Sequence, residues 1–208
     1  GKTLRIGNLT GDGLLGGYSS FDNNGGSGIN TWQVGNDEDF TFNGGVIASD
    51  KFVKKGTGKM TVGASGKWTS SGAVTIEEGE VNILTNASSS KIGSLGTGVL
   101  TVESGAKLSG FTATSKALAA NIPMTNSSYI INGTINPCCE GSLLFNYSYA
   151  NMGGKNVTIN SGGKLEVMAG IVTRTARNAA CLTNIGTLTM YDGAIISLAF
   201  HNLFNPAE

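Results

Sequence analysis

The amino-acid sequence predicts an all-β protein built as a parallel β-helix (a β-solenoid), and three observations carry that prediction. The chain holds 32 glycines and 3 prolines in 208 residues with 13% charged residues, a composition that suits tight turns between short strands and disfavours long helices. Apolar residues fall in short alternations, the period of a strand with one buried face. The alternations also recur as a phrase, apolar-Thr-apolar: Lys59-Met60-Thr61-Val62, Ala73-Val74-Thr75-Ile76, Val99-Leu100-Thr101-Val102, Val157-Thr158-Ile159 and Leu188-Thr189-Met190. Polar residues, a glycine and a further apolar residue follow, as in Glu103-Ser104-Gly105-Ala106-Lys107-Leu108 and Asn160-Ser161-Gly162-Gly163-Lys164-Leu165. Units of roughly 20 to 30 residues made of strand and turn bury their apolar faces only by stacking on their neighbours. At roughly 4.8 Å per layer, about seven to ten such units make a rod of roughly 35 to 50 Å. A β-sandwich explains the strands but not the recurring phrase.

The elements follow in order. Thr3-Leu4-Arg5-Ile6 opens the chain and a glycine-broken stretch, residues 7–17, follows it. Ile29 to Val34, Phe40 to Ile47, and three short runs within Phe52 to Ile83 continue the alternation, with glycine or asparagine at the corners. Residues 84–98 read as a polar loop leading into the Val99 phrase. From Phe111 to Asn151 the regularity weakens. Lys116 to Ala120 has helix-forming composition but is too short for a stable helix, and reads as a turn over the body. Tyr129 to Ile135 restores the strand pattern, Leu143-Leu144-Phe145 reads as a buried strand, and Val157 to Val167 and Gly186 to Leu198 return to the phrase. Arg174 and Arg177 lie in the interruption between those two. The reading is one domain over residues 1–208, with the repeat best defined over 3–110 and less regular over 111–208.

Fourteen basic and fourteen acidic residues give zero net charge, so no global field attracts nucleic acid or an anionic membrane. No run approaches the roughly 18 apolar residues of a membrane helix, and the N-terminus lacks a signal-peptide pattern. The chain reads as a mature segment, with any export signal or anchor outside it. Of the cysteines, Cys181 can pair with one member of the vicinal pair Cys138 and Cys139, or all three stay reduced. With His201 the sole histidine and no CxxC spacing, zinc is not expected.

The stretch Phe52-Val53-Lys54-Lys55-Gly56-Thr57-Gly58-Lys59-Met60-Thr61-Val62, followed by Trp68-Thr69-Ser70-Ser71-Gly72-Ala73-Val74-Thr75-Ile76-Glu77-Glu78-Gly79-Glu80-Val81, resembles the passenger-associated repeat of bacterial autotransporters. That repeat has a K-x-G-T-G-x-L-T-L core, a tyrosine-threonine-glycine turn and a T-x-V-x-x-G-x-L close. Phe40 to Ile47 resembles the phrase before the core, and Gly93 to Val102 with Gly105 to Leu108 the phrase after it. Trp68 near the usual tyrosine turn and the vicinal cysteines depart from the pattern. The resemblance implies a right-handed parallel β-helix, exported and displayed on or released from a Gram-negative surface. It implies a structural or adhesive role, with no catalytic residues and no cofactor.

A β-helix can also carry a polysaccharide lyase or hydrolase site on an outer face. Hydrolysis needs two carboxylates roughly 5 to 10 Å apart, and the candidates are Asp37, Glu38, Asp39, Glu77, Glu78 and Glu80; a lyase could use Arg174 or Arg177 as base. Asp37 to Asp39 sit in a turn, where solvated acids are ordinary, so no catalytic site is assigned. Asp12 with Asp37, Glu38 and Asp39 could supply oxygen ligands for calcium, but no calcium-loop spacing occurs and no metal site is assigned. Lys51, Lys54 and Lys55 read as a solvated basic face rather than a polyanion site. Tyr18, Trp32, Trp68, Tyr129, Tyr147, Tyr149 and Tyr191 could stack on sugars where exposed, and otherwise pack. The expected partner is a host matrix protein or polysaccharide met by loops at 85–90, 111–126 and 174–178, with neither nucleic acid nor membrane insertion.

Overall fold

The computed structural model describes residues 2–16, 31–63, 67–86, 91–92, 95–113, 121–123, 125–136, 149–170 and 182–201. Every regular element among them is a strand. In chain order these are β1 (Thr3–Ile6), β2 (Leu14–Leu15), β3 (Thr31–Val34), β4 (Phe40–Phe42), β5 (Gly45–Val46), β6 (Lys51–Lys54) and β7 (Lys59–Val62). Then come β8 (Val74–Ile76), β9 (Glu80–Asn86), β10 (Lys91–Ile92), β11 (Leu100–Val102), β12 (Lys107–Ala113) and β13 (Asn121–Pro123). β14 (Ser128–Ile131), β15 (Thr134–Asn136), β16 (Tyr149–Ile159), β17 (Lys164–Gly170), β18 (Leu182–Met190) and β19 (Ile195–His201) complete the order.

Successive strands alternate between two long sheets. The first runs β1-β3-β6-β8-β11-β14-β16, with β18 on the far side of β16 and β13 also paired to β16; the second runs β4-β7-β9-β12-β15-β17-β19. Pairing within both paths is parallel, and each rung is supplied by a segment roughly 20 to 30 residues further along, an arrangement compatible with the predicted solenoid. A third run of backbone contacts begins with β2 beside β5. It continues where the Thr69 amide donates to Val46 O (3.0 Å), Thr97 to Ser70 O (2.8 Å) and Ser127 to Thr97 O (3.0 Å).

Register explains the core. In the first sheet Phe52, Val74, Leu100, Tyr129 and Val157 are mutual partners, as are Ile76, Val102, Ile131 and Ile159 two residues on. In the second, Phe40, Met60, Val81, Leu108, Ile135 and Leu165 line up. All of these are buried, because side chains alternate across a strand and only one face of each sheet looks inward. Phe52 meets Trp68 edge to face, centroids 4.8 Å apart, and Trp68 packs in the core. Tyr129 is fully buried, and its hydroxyl accepts the Asn126 amide proton at 3.2 Å; burial pushes its phenol pKa up.

One expectation is corrected and one is refined. Residues 84–86 are not loop: β9 continues to Asn86 and takes β10 as an antiparallel partner, because the alternation runs on and the pairing satisfies backbone groups. The run Tyr129 to Ile135 is two strands, β14 and β15, broken at Asn132-Gly133. Ile131 and Ile135 serve different sheets, and Gly133 turns the corner where a Cβ would lie 2.1 Å from Glu103 O. Lys116 to Ala120, Leu143 to Phe145, Cys138, Cys139, Cys181, Arg174 and Arg177 lie outside the described residues.

Candidate functional site: a stacked polar corner

Each of six connections from the first sheet to the second begins with the residue just past a first-sheet strand. The amides of these residues bind the rung before them: Lys55 to Val34 O, Glu77 to Lys54 O, Glu103 to Ile76 O, Asn132 to Val102 O, Asn160 to Ile131 O and Tyr191 to Ile159 O, all at 2.8 to 3.0 Å. The result is one column of polar side chains along a single corner. Lys55 forms an ion pair with Glu77. Asn132 Nδ2 donates to Glu103 Oε2 at 2.8 Å, and Asn160 Nδ2 to Asn132 Oδ1 at 2.6 Å.

Of the carboxylates considered for catalysis, Asp37, Glu38, Asp39, Glu77 and Glu78 lie in connections at this corner and Glu80 opens β9. Asp37 Oδ1 accepts the Thr57 amide (3.0 Å) and hydroxyl (2.9 Å); Asp39 Oδ1 accepts the Lys59 amide (2.7 Å); Glu78 Oε2 accepts the Gly56 amide (3.0 Å). Glu38 receives Asn8 Nδ2 at 3.3 Å, and Glu80 accepts the Ser109 hydroxyl, which also receives Asn82 Nδ2 at 3.0 Å. These acids bind backbone and side-chain donors of neighbouring rungs. Asp12 faces Lys67 (3.5 Å) on the third run, and the described residues contain no group of three or more His, Cys, Asp or Glu suited to a metal.

The basic cluster is not one solvated face. Lys51 is exposed and Lys55 half-buried, but Lys54 is completely buried. Lys54 occupies the inward register position between Val34 and Ile76, and its ammonium donates to Lys55 O and Gly56 O at 2.8 Å and to Glu78 O at 3.5 Å. Burial pushes its pKa down, while Glu78, Asp37 and Asp39 pull it back up.

The Thr57 amide and hydroxyl hold the Asp37 carboxyl below its ordinary value. The Lys164 ammonium (2.6 Å), aided by Asn136 Nδ2 (3.0 Å), does the same for Glu166 on the outer face of the second sheet. Because both folded-state values are lowered, the unfolded chain takes up protons first. Stability is fully present above the ordinary carboxylate range and falls as pH drops through it toward the folded-state values. Urea midpoints measured at falling pH should therefore decline, and Asp37→Asn combined with Glu166→Gln should flatten the decline; an unchanged slope in the double variant would refute this assignment.

Of the aromatics, Trp68 and Tyr129 are in the core and Trp32 is half-buried, its Nε1 donating to Asp50 Oδ2 at 2.7 Å. Tyr191, the last member of the corner column among the described residues, is 57% exposed. Tyr18 and Tyr147 lie outside the described residues, as do 87–90, 114–120 and 174–178 of the expected contact loops. Asn126, in another such loop, is instead buried, its Nδ2 donating to Leu95 O (3.2 Å) and Gly98 O (3.1 Å) of the rung before.

Fold and corner together define a class: an all-β protein of long parallel sheets whose edges carry side-chain ladders. No family model, curated protein or solved structure matches the chain.

Proposed function

We propose that this chain is a right-handed parallel β-helix with a structural and adhesive role, exported to a bacterial cell surface or released from it. The sequence likeness to the autotransporter passenger-associated repeat motivates the cellular setting. The parallel register and the third run of backbone contacts support the helix, with right-handedness following from the usual hand of parallel crossovers. One observation supports the non-catalytic reading: each corner carboxylate binds a donor of an adjacent rung through one of its oxygens. A rod so built presents periodic polar surface along its length, suited to a host matrix protein or a polysaccharide.

Immobilised matrix proteins and a set of polysaccharides test the reading, scored for retained protein and, by mass spectrometry, for shortened glycans. The expected result is retention without cleavage. Glycan products that disappear in Glu77→Gln or Asp39→Asn would replace it with a polysaccharide hydrolase or lyase.

A further inference from the structure

We propose that the column Glu103, Asn132, Asn160 and Tyr191 is a binding strip for one extended chain of a neutral or amine-bearing polysaccharide lying along the stack. The inference rests on the adhesive reading above and gives it a site and a ligand class. Three features on this corner point to sugar. The ladder Glu103–Asn132–Asn160 uses one oxygen of Glu103 and one amide hydrogen of Asn132 and of Asn160 internally. A second carboxylate oxygen and second amide hydrogens remain to meet hydroxyl groups, which donate and accept alike.

Spacing is the second feature. The four residues start connections on successive rungs, so they recur at about 4.8 Å. An extended β-linked pyranose chain advances by nearly the same distance per sugar, so successive sugars meet successive rungs within side-chain reach. Third, the last member of the column among the described residues is Tyr191, 57% exposed, whose ring face offers a platform for the apolar face of a pyranose.

Charge sets the ligand class. Glu103 in the column and Asp192 beside Tyr191 are acidic, and residues 103–106, 132–133, 160–163 and 191–194 contain no lysine or arginine. Lys55, further along the same corner, is paired with Glu77; on the neighbouring sheet Lys164 is paired with Glu166, and Lys107 also acts on that carboxylate. A uronate or sulfated chain would bring like charge against this strip, whereas a neutral chain meets no such penalty and an amine-bearing one gains from it.

Calorimetric titration would use β-1,4-linked oligomers of glucose, N-acetylglucosamine and glucosamine, two to six sugars long, with polygalacturonate as the polyanion. Binding is expected for a neutral or amine-bearing series, tightening up to about four sugars, one for each residue of the column. Loss of about tenfold or more in affinity is expected in Tyr191→Ala, which removes the stacking platform, and in Asn132→Thr/Asn160→Thr, which removes both amide donors. Lys59→Ala, on the outer face of the second sheet, should bind as the parent does. Tyr191 is exposed, so its variant tests the site even if the double ladder variant unfolds. Equal or tighter binding of polygalacturonate, or parental affinity in Tyr191→Ala, would overturn the proposal. Capture by matrix proteins with no glycan bound would remove this site and leave the adhesive reading, whereas capture by neither would remove both.

Discussion

Replacing Lys54 with methionine is expected to destabilise the protein by about 2 to 5 kcal/mol, from the buried carbonyls that lose their donor. The reason is specific to its partners. Buried ion pairs are often replaceable by apolar residues because both charges leave together. Lys54 instead bonds the backbone carbonyls of Lys55, Gly56 and Glu78, which no side-chain substitution deletes. Methionine fills the volume between Val34 and Ile76 but leaves those carbonyls with a lost donor, at about 1 to 3 kcal/mol for each one that finds no replacement. Lys55→Met is the control, since its ion pair with Glu77 is about one-third exposed on each side and such pairs contribute about 0 to 1 kcal/mol. Urea unfolding of both variants decides the matter. If Lys54→Met unfolds within about 1 kcal/mol of the parent, the ammonium is not what holds this corner.

Gly56→Ala should cost about 3 kcal/mol, the second largest effect, from two separable sources. Gly56 has φ of +73°, a left-handed conformation costing a residue with a Cβ about 1 to 2 kcal/mol. An alanine Cβ there would also lie 2.2 Å from Asn36 O, and relieving such overlap typically costs about 1 to 3 kcal/mol. Shifting the backbone to make room would disturb the Gly56 carbonyl that receives Lys54 and the amide that binds Glu78 Oε2. Gly105 separates the two sources: its φ is +82°, yet a Cβ meets nothing within 4 Å, so Gly105→Ala should show the conformational part alone. Thermal unfolding of the pair tests this, and equal losses would show that close approach at Gly56 contributes nothing.

Strand positions and inward-facing residues were legible in the sequence because alternation is local. Met60-x-Val62, Val74-x-Ile76 and Leu100-x-Val102 each announce a buried face within three residues, and all six side chains are buried. The same rule placed Lys54 inward, two residues after Phe52, but its charge suggested solvent; the carbonyls that make burial tolerable come partly from Glu78, on the next rung. The asparagine ladder was hidden for a related reason. Asn132 and Asn160 each follow an apolar phrase, yet nothing local says they meet, since rungs differ in length from roughly 20 to roughly 30 residues.

The sequence by itself determined that the chain forms short strands with one apolar face, turned at glycine-bearing corners, because backbone sterics and burial act over a few residues. Only the tertiary structure decided which corner residues stack, that Lys54 is enclosed while Lys55 is paired outside, and that Tyr191 shares a polar column with Asn160. Those outcomes depend on register between segments distant in the chain, which is set by how the whole stack buries its core.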